Sequence, residues 1–217
     1  MRIGGLAMVI SRAADLVPAM ARYRRAVVLG ALREDVAYLP GLPRPFEHLS
    51  LSHFWGPTRP GGFVPGWPGA RFAADRKFAR AVRRHRRGDV AGAFVELGRA
   101  SHLVIDMACP VHVHRVLHDS DGYEWFVDTH ADELGALPVP HVPRARSASE
   151  LVEGLARFTH RFAADRTQHP VGRWMVRRGL AKSIPQTTIR DAARQIVPIA
   201  IGHVAALFEL FVETARA

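Results

Sequence analysis

The sequence predicts an all-α protein, and three observations carry that prediction. The alternation of apolar and polar residues that marks β-strands is not sustained over any long stretch. Apolar residues recur instead at helical spacing through most of the chain. The breaks between these segments fall at prolines and glycines, which end helices. A length of 217 residues suits one domain with a sizeable core, so residues 1–217 are expected to form a single multi-helix bundle.

The first half of the chain is predicted to be two helical regions separated by a loop. Residues 5–32 carry a helical pattern, with Pro18 as a kink or a break. Residues 53–72 are rich in glycine, proline and aromatic side chains, which indicates a loop. Helical residues resume from about Asp75.

The middle of the chain contains a helix with clear signals at both ends. Asp89 is a suitable N-cap for a helix that starts at Val90, and Pro110 prevents that helix from continuing. Residues 122–134 are predicted to form a further helix, which a proline-rich link follows.

The C-terminal helices are predicted over residues 147–217. Ser147 and Glu150 form a capping box ahead of one helix, and the last helix is expected from about Thr188 to the C-terminus. Residues 196–208 are the most apolar segment, but a proline, a glycine and a histidine interrupt it. We therefore expect no transmembrane segment.

The net charge of +10 favours an anionic partner, such as phospholipid headgroups, nucleic acid or a phosphorylated small molecule. The alternative is that heavy use of arginine and alanine reflects genomic base composition. The basic run 83–87 could contact phosphates, although a solvated helix face is the ordinary explanation for such a run.

Two features bear on the cellular compartment. Cys109 is the sole cysteine, so no intramolecular disulfide can form; we expect it to be a small buried hydrophobe, with a metal ligand as the alternative. A secreted protein of this size can fold without disulfides, so the cysteine content leaves the compartment open. The first sixteen residues make a poor signal peptide, which favours a cytoplasmic chain as written, but the sequence does not reveal the export status. The sequence does not indicate an oligomeric state.

Residues 102–124 concentrate side chains that can bind metal. His102 and Asp106 are four residues apart, so a helix places both on one face, where they can hold one ion or simply bond to each other. Gly98 lies one turn earlier on that face and would let another segment approach. His112 follows just beyond the proline. Mixed imidazole and carboxylate donors favour zinc over magnesium or calcium.

The order of motifs resembles that of the zinc-dependent phospholipase C and single-strand nuclease superfamily. The chain has GALRED at 30–35, SHFWGP at 52–57, then H-x-x-x-D-x-x-x-P-x-H from His102, then YE at 123–124. This resemblance covers roughly residues 30–128. It implies an all-helical hydrolase of phosphodiesters with a cluster of zinc ions.

The resemblance implies a first zinc held by Asp35, His53, His102 and Asp106. All four residue types occur in the family's order. Glu34 is adjacent to Asp35 and is the alternative ligand, but the family pattern favours the second acid.

The resemblance also implies a second zinc, held by His112, a middle histidine and Glu124. Where many relatives have that middle histidine, four residues before the acid, this chain has Ser120. His118 is the nearest replacement and His114 is the next.

A third zinc of the family shares Asp106 and uses a histidine of the first helix and an N-terminal tryptophan. This chain has Leu6, Ala7 and Met8 where that histidine should fall, and no tryptophan before Trp55. Either the gene start has been assigned too late, or the chain is a divergent branch with two zinc ions. We thus expect two or three Zn²⁺ ions.

The implied chemistry is attack of a metal-activated water on phosphorus, with charge on the phosphoryl oxygens neutralised by the metals. Asp35 is the candidate proton acceptor. Trp55, Phe63 and Trp67 could form a wall for an acyl chain or a stacking surface for a base, with loop packing as the alternative. The expected substrate is a phospholipid or related anionic phosphoester. The alternatives are a single-strand nuclease and a non-catalytic zinc protein that lost the third site.

Overall fold

A computed structural model describes residues 1–36, 50–56, 68–116, 118 and 121–216, and the side chains of residues 35, 36, 50 and 51 lie outside this description. Within these ranges the protein is helical and contains no strand. The all-α prediction is therefore confirmed.

The helices follow one another with short connections. They are α1 (Ile3–Leu16), α2 (Arg24–Val36), α3 (Ala70–Arg86), α4 (Val90–Asp106), α5 (Pro110–Val113), α6 (Gly122–Thr129), α7 (Ala131–Gly135), α8 (Ala148–Thr159), α9 (Pro170–Arg177) and α10 (Gln186–Arg216). Short 3₁₀ helices cover Pro18–Tyr23 and Ser50–His53.

Several helix boundaries follow the local signals in the sequence. A 3₁₀ helix starts at Pro18 and separates α1 from α2, as predicted. The Asp89 carboxylate accepts the Gly92 N–H at 2.9 Å and caps α4. Ser147 accepts the Glu150 N–H at 3.2 Å at the start of α8. Only this half of the predicted capping box forms. The Glu150 carboxylate accepts the backbone N–H of Arg146 and not that of Ser147.

Two boundary predictions are wrong. The helix expected from about Asp75 begins at Ala70. Residues 122–134 form two short helices, which separate at His130, where the imidazole stacks on Phe126 with ring centroids 4.0 Å apart. By contrast, α10 continues through Pro198, in agreement with the prediction of one helix from about Thr188 to the C-terminus. The helix on both sides of this proline is buried, which offsets the lost hydrogen bond.

Helix α4 packs closely against α2 through paired glycines. A Cβ atom on Gly98 would lie 2.0 Å from the Val27 carbonyl oxygen of α2, and one on Gly30 would lie 2.0 Å from the Val95 carbonyl oxygen of α4. Gly98 thus permits the close approach predicted from the sequence. The contact fixes the end of α2 beside the helix that carries His102 and Asp106.

Helix α10 is long and apolar enough to cross a bilayer by length and composition. Inside the protein, however, 67% of its most apolar window is buried. Such burial is typical of a core helix.

Candidate metal centre

The first group of metal-binding side chains comes from the end of α4 and the second 3₁₀ helix. Donor atoms of His53, His102 and Asp106 all lie within 4.8 Å of one another. The Asp106 Oδ2 atom is 2.6 Å from His53 Nδ1 and 3.2 Å from His102 Nε2. All three side chains are buried, and His102 and Asp106 are completely inaccessible. Two imidazoles therefore converge on one carboxylate oxygen.

Backbone hydrogen bonds hold the 3₁₀ helix against its neighbours. The N–H of Ala70 donates to the Phe54 carbonyl at 3.2 Å, and the N–H of Trp55 donates to the His112 carbonyl at 3.3 Å. A ring nitrogen of His112 lies 3.2 Å from the His53 carbonyl oxygen. These bonds bring residues about fifty positions apart in the chain into one centre.

The second group lies beside the first. Donor atoms of Cys109, His112 and Glu124 fall within 4.8 Å of one another. The Glu124 Oε1 atom is 3.4 Å from His112 Nε2 and 3.4 Å from Cys109 Sγ. The imidazole rings of His53 and His112 are 6.4 Å apart by their centroids, so the two groups are neighbours.

The two candidates for the middle ligand lie in different places. The His118 ring is 4.9 Å from the His112 ring, edge to face, and its Nδ1 faces the Val116 carbonyl at 3.0 Å. His114 turns away from this centre, because its Nε2 lies 2.9 Å from the Phe162 carbonyl and its ring stacks on His160. The structure thus brings His118, but not His114, next to the second group.

Opposite charges keep the acids of the centre ionised. Although burial acts to raise it, the imidazoles of His102 and His112 hold the pKa of Asp106 well below its usual range. Burial acts to lower the pKa of His112, but the Asp106 and Glu124 carboxylates raise it above its ordinary value. A buried site of this kind suits a cation.

The start of α1 lies beside the same acids. The α-amino nitrogen of Met1 is 2.9 Å from Glu124 Oε1 and 3.3 Å from Asp106 Oδ1. The Asp128 carboxylate accepts the Gly4 N–H at 2.6 Å and joins α1 to α6. Leu6, one of the residues found where the histidine of the family's third zinc site should fall, is buried in the apolar core.

The two acids at the end of α2 differ in what the structure shows. Asp35, the predicted ligand and proton acceptor, has a side chain outside the described residues. The Glu34 carboxylate is buried and holds Lys77 Nζ at 2.8 Å and Arg99 Nε at 2.7 Å. Both oxygens pair with these cations, so Glu34 links α2 to α3 and α4 by ion pairs.

The aromatic residues proposed for substrate binding are only partly described. The Trp55 indole N–H donates to Glu153 at 3.0 Å, and its ring meets His160 edge to face. Phe63 and Trp67 lie outside the described residues. Their role in binding stays a prediction.

The donor chemistry fits zinc. Zinc accepts imidazole nitrogens, carboxylate oxygens and, in the second group, a thiol, whereas magnesium and calcium disfavour the imidazole and thiol donors. The sequence pointed to every member of the two groups, although for Cys109 a buried hydrophobe was the first expectation and a metal ligand the alternative. Its place between Asp106 and Pro110 suggested the alternative but does not reveal its distance to Glu124.

The fold is that of phospholipase C and the alpha-toxins. The alpha-toxin of Clostridium perfringens has a TM-score of 0.68 at 15% identity, and that of Clostridium absonum has a TM-score of 0.64 at 14% identity. In both comparisons the match covers 99% of this chain and 64% of the toxin.

One curated relative also matches in sequence. The phospholipase C of Listeria monocytogenes is 33% identical over 85 residues, which are 36% of this chain and 29% of that protein. No family model matches the sequence. The chain thus spans less than a third of this relative in sequence and about two thirds of the toxins in structure. The resemblance predicted from the motifs is confirmed.

Proposed function

We propose that the chain is a zinc-dependent phosphodiester hydrolase of the phospholipase C type. One observation carries the proposal: the donors of His53, His102 and Asp106 converge in a buried site within this fold. The proposed substrate is a phospholipid or a related anionic phosphoester. The net charge of +10 supports an anionic substrate.

Each residue of the centre has a role in this proposal. Asp35, His53, His102 and Asp106 would hold a first zinc, and His112, His118 and Glu124 would serve a second. Bound zinc supplies an acidified water and a positive charge against the phosphoryl oxygens. Asp35 would accept a proton as well as bind metal, and the imidazoles would keep Asp106 ionised for that binding.

Metal content and turnover test the proposal together. We expect the purified protein to contain at least two zinc ions per chain and to hydrolyse phosphatidylcholine or a chromogenic phosphodiester. His102→Ala should lose zinc and activity together, because it removes a donor of the first group. His130→Ala is the matched control, since its ring packs on Phe126 outside both groups, and it should change neither.

Two other functions are outcomes of the same experiment. Turnover of single-stranded DNA in place of phosphatidylcholine would identify a nuclease. One tightly held zinc without turnover of any phosphodiester would identify a non-catalytic zinc protein. Either result would contradict the proposal.

A further inference from the structure

We propose that Cys109 is a thiolate ligand of the second metal ion, together with His112 and Glu124. This assignment rests on the proposed function only in requiring that the centre bind zinc. The thiol is completely buried, and the structure places it among metal-binding side chains rather than in a purely apolar environment.

The donor spacing agrees with that of a tetrahedral zinc site. Zinc bonds of about 2.3 Å to sulfur and about 2.0–2.2 Å to nitrogen or oxygen put the donors about 3.4–3.6 Å apart in a tetrahedron. The observed separations are 3.4 Å from Cys109 Sγ to Glu124 Oε1 and 3.4 Å from His112 Nε2 to the same oxygen. The donor atoms of Cys109 and His112 lie within 4.8 Å of each other, and the Met1 α-amino group, 2.9 Å from the same Glu124 oxygen, would have to move aside for the ion.

The cysteine also adds a fourth donor to the proposed set of His112, His118 and Glu124, and zinc sites are typically four-coordinate. His118 is only a replacement in that set, because Ser120 stands where many relatives have the middle histidine. His114 faces Phe162, and no ring nitrogen of His118 belongs to the compact group of three donors. Metal binding would release the thiol proton to solvent and leave a sulfur–zinc bond.

The sole cysteine makes a direct test possible, since any sulfur–metal signal that a thiolate gives must come from Cys109. We expect X-ray absorption of the zinc-loaded protein to show a sulfur neighbour at about 2.3 Å. The cobalt-loaded protein should show a thiolate-to-metal charge-transfer band. Both signals should disappear in Cys109→Ser, and zinc affinity should fall at least about tenfold, as it does even when an outer partner of a ligand is removed.

His114→Ala is the matched control and should retain both signals. A zinc shell of nitrogen and oxygen alone in the wild-type protein would overturn the assignment without the need for any variant. Phosphodiester hydrolysis is measured separately. Sulfur ligation without turnover would contradict the proposed function alone, and turnover without sulfur ligation would contradict the cysteine assignment alone.

A second, independent observation concerns the segment 165–184, which we call the basic segment. Three of its large apolar side chains are exposed: Val171 at 61%, Trp174 at 47% and Leu180 at 64%. Exposed arginine and lysine side chains lie among them, at Arg177, Arg178 and Lys182. No acid occurs between Asp165 and Asp191.

The ends of the basic segment are fastened together. Asp165 accepts the Ile184 N–H at 3.1 Å, and the hydroxyls of Thr167 and Ser183 are 3.0 Å apart. α9 therefore lies in the middle of a segment whose two ends are held together by hydrogen bonds.

We infer that the basic segment docks on an anionic phospholipid surface. Exposed apolar side chains with a tryptophan, surrounded by cations, are the features of helices that bind in the lipid interface. The local charge complements that of anionic headgroups, which attract each nearby cation with a few-fold gain in affinity.

Vesicle binding tests this surface without any need for turnover. We expect the protein to sediment with phosphatidylcholine vesicles that contain phosphatidylserine, and salt should weaken that binding. Replacing both Arg177 and Arg178 by alanine should reduce affinity about twenty-five-fold, at about fivefold per cation. Trp174→Ala should also reduce it.

Trp125→Ala is the matched control, because Trp125 is equally exposed, at 48%, but lies on α6 beside Asp121 and Asp128. It should bind these vesicles as the wild-type protein does. Equal binding by the double arginine variant would overturn the inference, and so would binding to single-stranded DNA but not to vesicles.

Discussion

Glu34 and Asp35 are adjacent acids that the sequence alone could not assign to different tasks. The structure gives Glu34 two buried cations, Lys77 and Arg99, as partners. Burial acts to raise its pKa, but these cations lower the pKa of Glu34 to about 2. The acid is therefore a structural link from α2 to α3 and α4.

We expect Glu34→Gln to destabilise the protein by about 3 kcal/mol, because it removes a buried carboxylate charge from its ion pairs with Lys77 and Arg99. Urea unfolding at pH 7 measures this loss. Glu150→Gln is a suitable control, since it breaks an exposed ion pair with Arg146 and should change stability by less than about 1 kcal/mol.

The pH dependence provides a second readout of the same ion pair. A carboxyl group whose pKa is lowered on folding contributes its full stabilisation above the ordinary value of 4.5 and loses it as the pH falls towards 2. The stability difference between wild type and Glu34→Gln should therefore shrink over this range. A difference that stays constant from pH 5 to pH 2 would contradict the role of the Glu34 charge.

At the residue scale, sequence reasoning succeeds where chemistry is local. His102 and Asp106 meet because a helix places residues four apart on one face. Cys109 and Glu124 are fifteen residues apart and belong to different helical segments, so their approach depends on how the chain folds. No spacing rule gives that distance.

At the scale of helices, the paired glycines between α2 and α4 determine how the centre is built. We expect Gly98→Ala to cost about 2 kcal/mol, because its Cβ would meet the Val27 backbone and force the helices apart. The melting temperature should then fall by about 4–8 °C for a protein of this size.

Gly122→Ala serves as the control for this change. Its Cβ would meet only the end of the Ile189 side chain, at 3.4 Å, which is an ordinary contact. A Gly98→Ala variant as stable as Gly122→Ala would contradict the close packing of α2 and α4.

The helices themselves were predictable wherever a cap or a proline acts locally. Asp89 and Pro18 mark boundaries in the sequence that the structure confirms. The division of residues 122–134 at His130 was not predicted; there the His130 ring stacks on Phe126, four residues earlier.

At the scale of the whole molecule, the buried donors link metal binding to folding. His53, His102 and Asp106 come together only in the folded chain, so zinc should bind the native state far better than the unfolded one. Free zinc at a thousandfold excess over its dissociation constant would add about 4 kcal/mol of stability. We expect the melting temperature to rise by about 8–16 °C with zinc and to fall again with a chelator.

Variants locate this effect within the molecule. The zinc-dependent rise should be smaller in His102→Ala and absent when His102 and His112 are both replaced by alanine, while His130→Ala should keep it. Magnesium should not substitute, because it prefers shells of oxygen ligands to imidazole and thiolate. A wild-type melting temperature that is the same with zinc and with chelator would contradict the metal centre itself, whatever the protein hydrolyses.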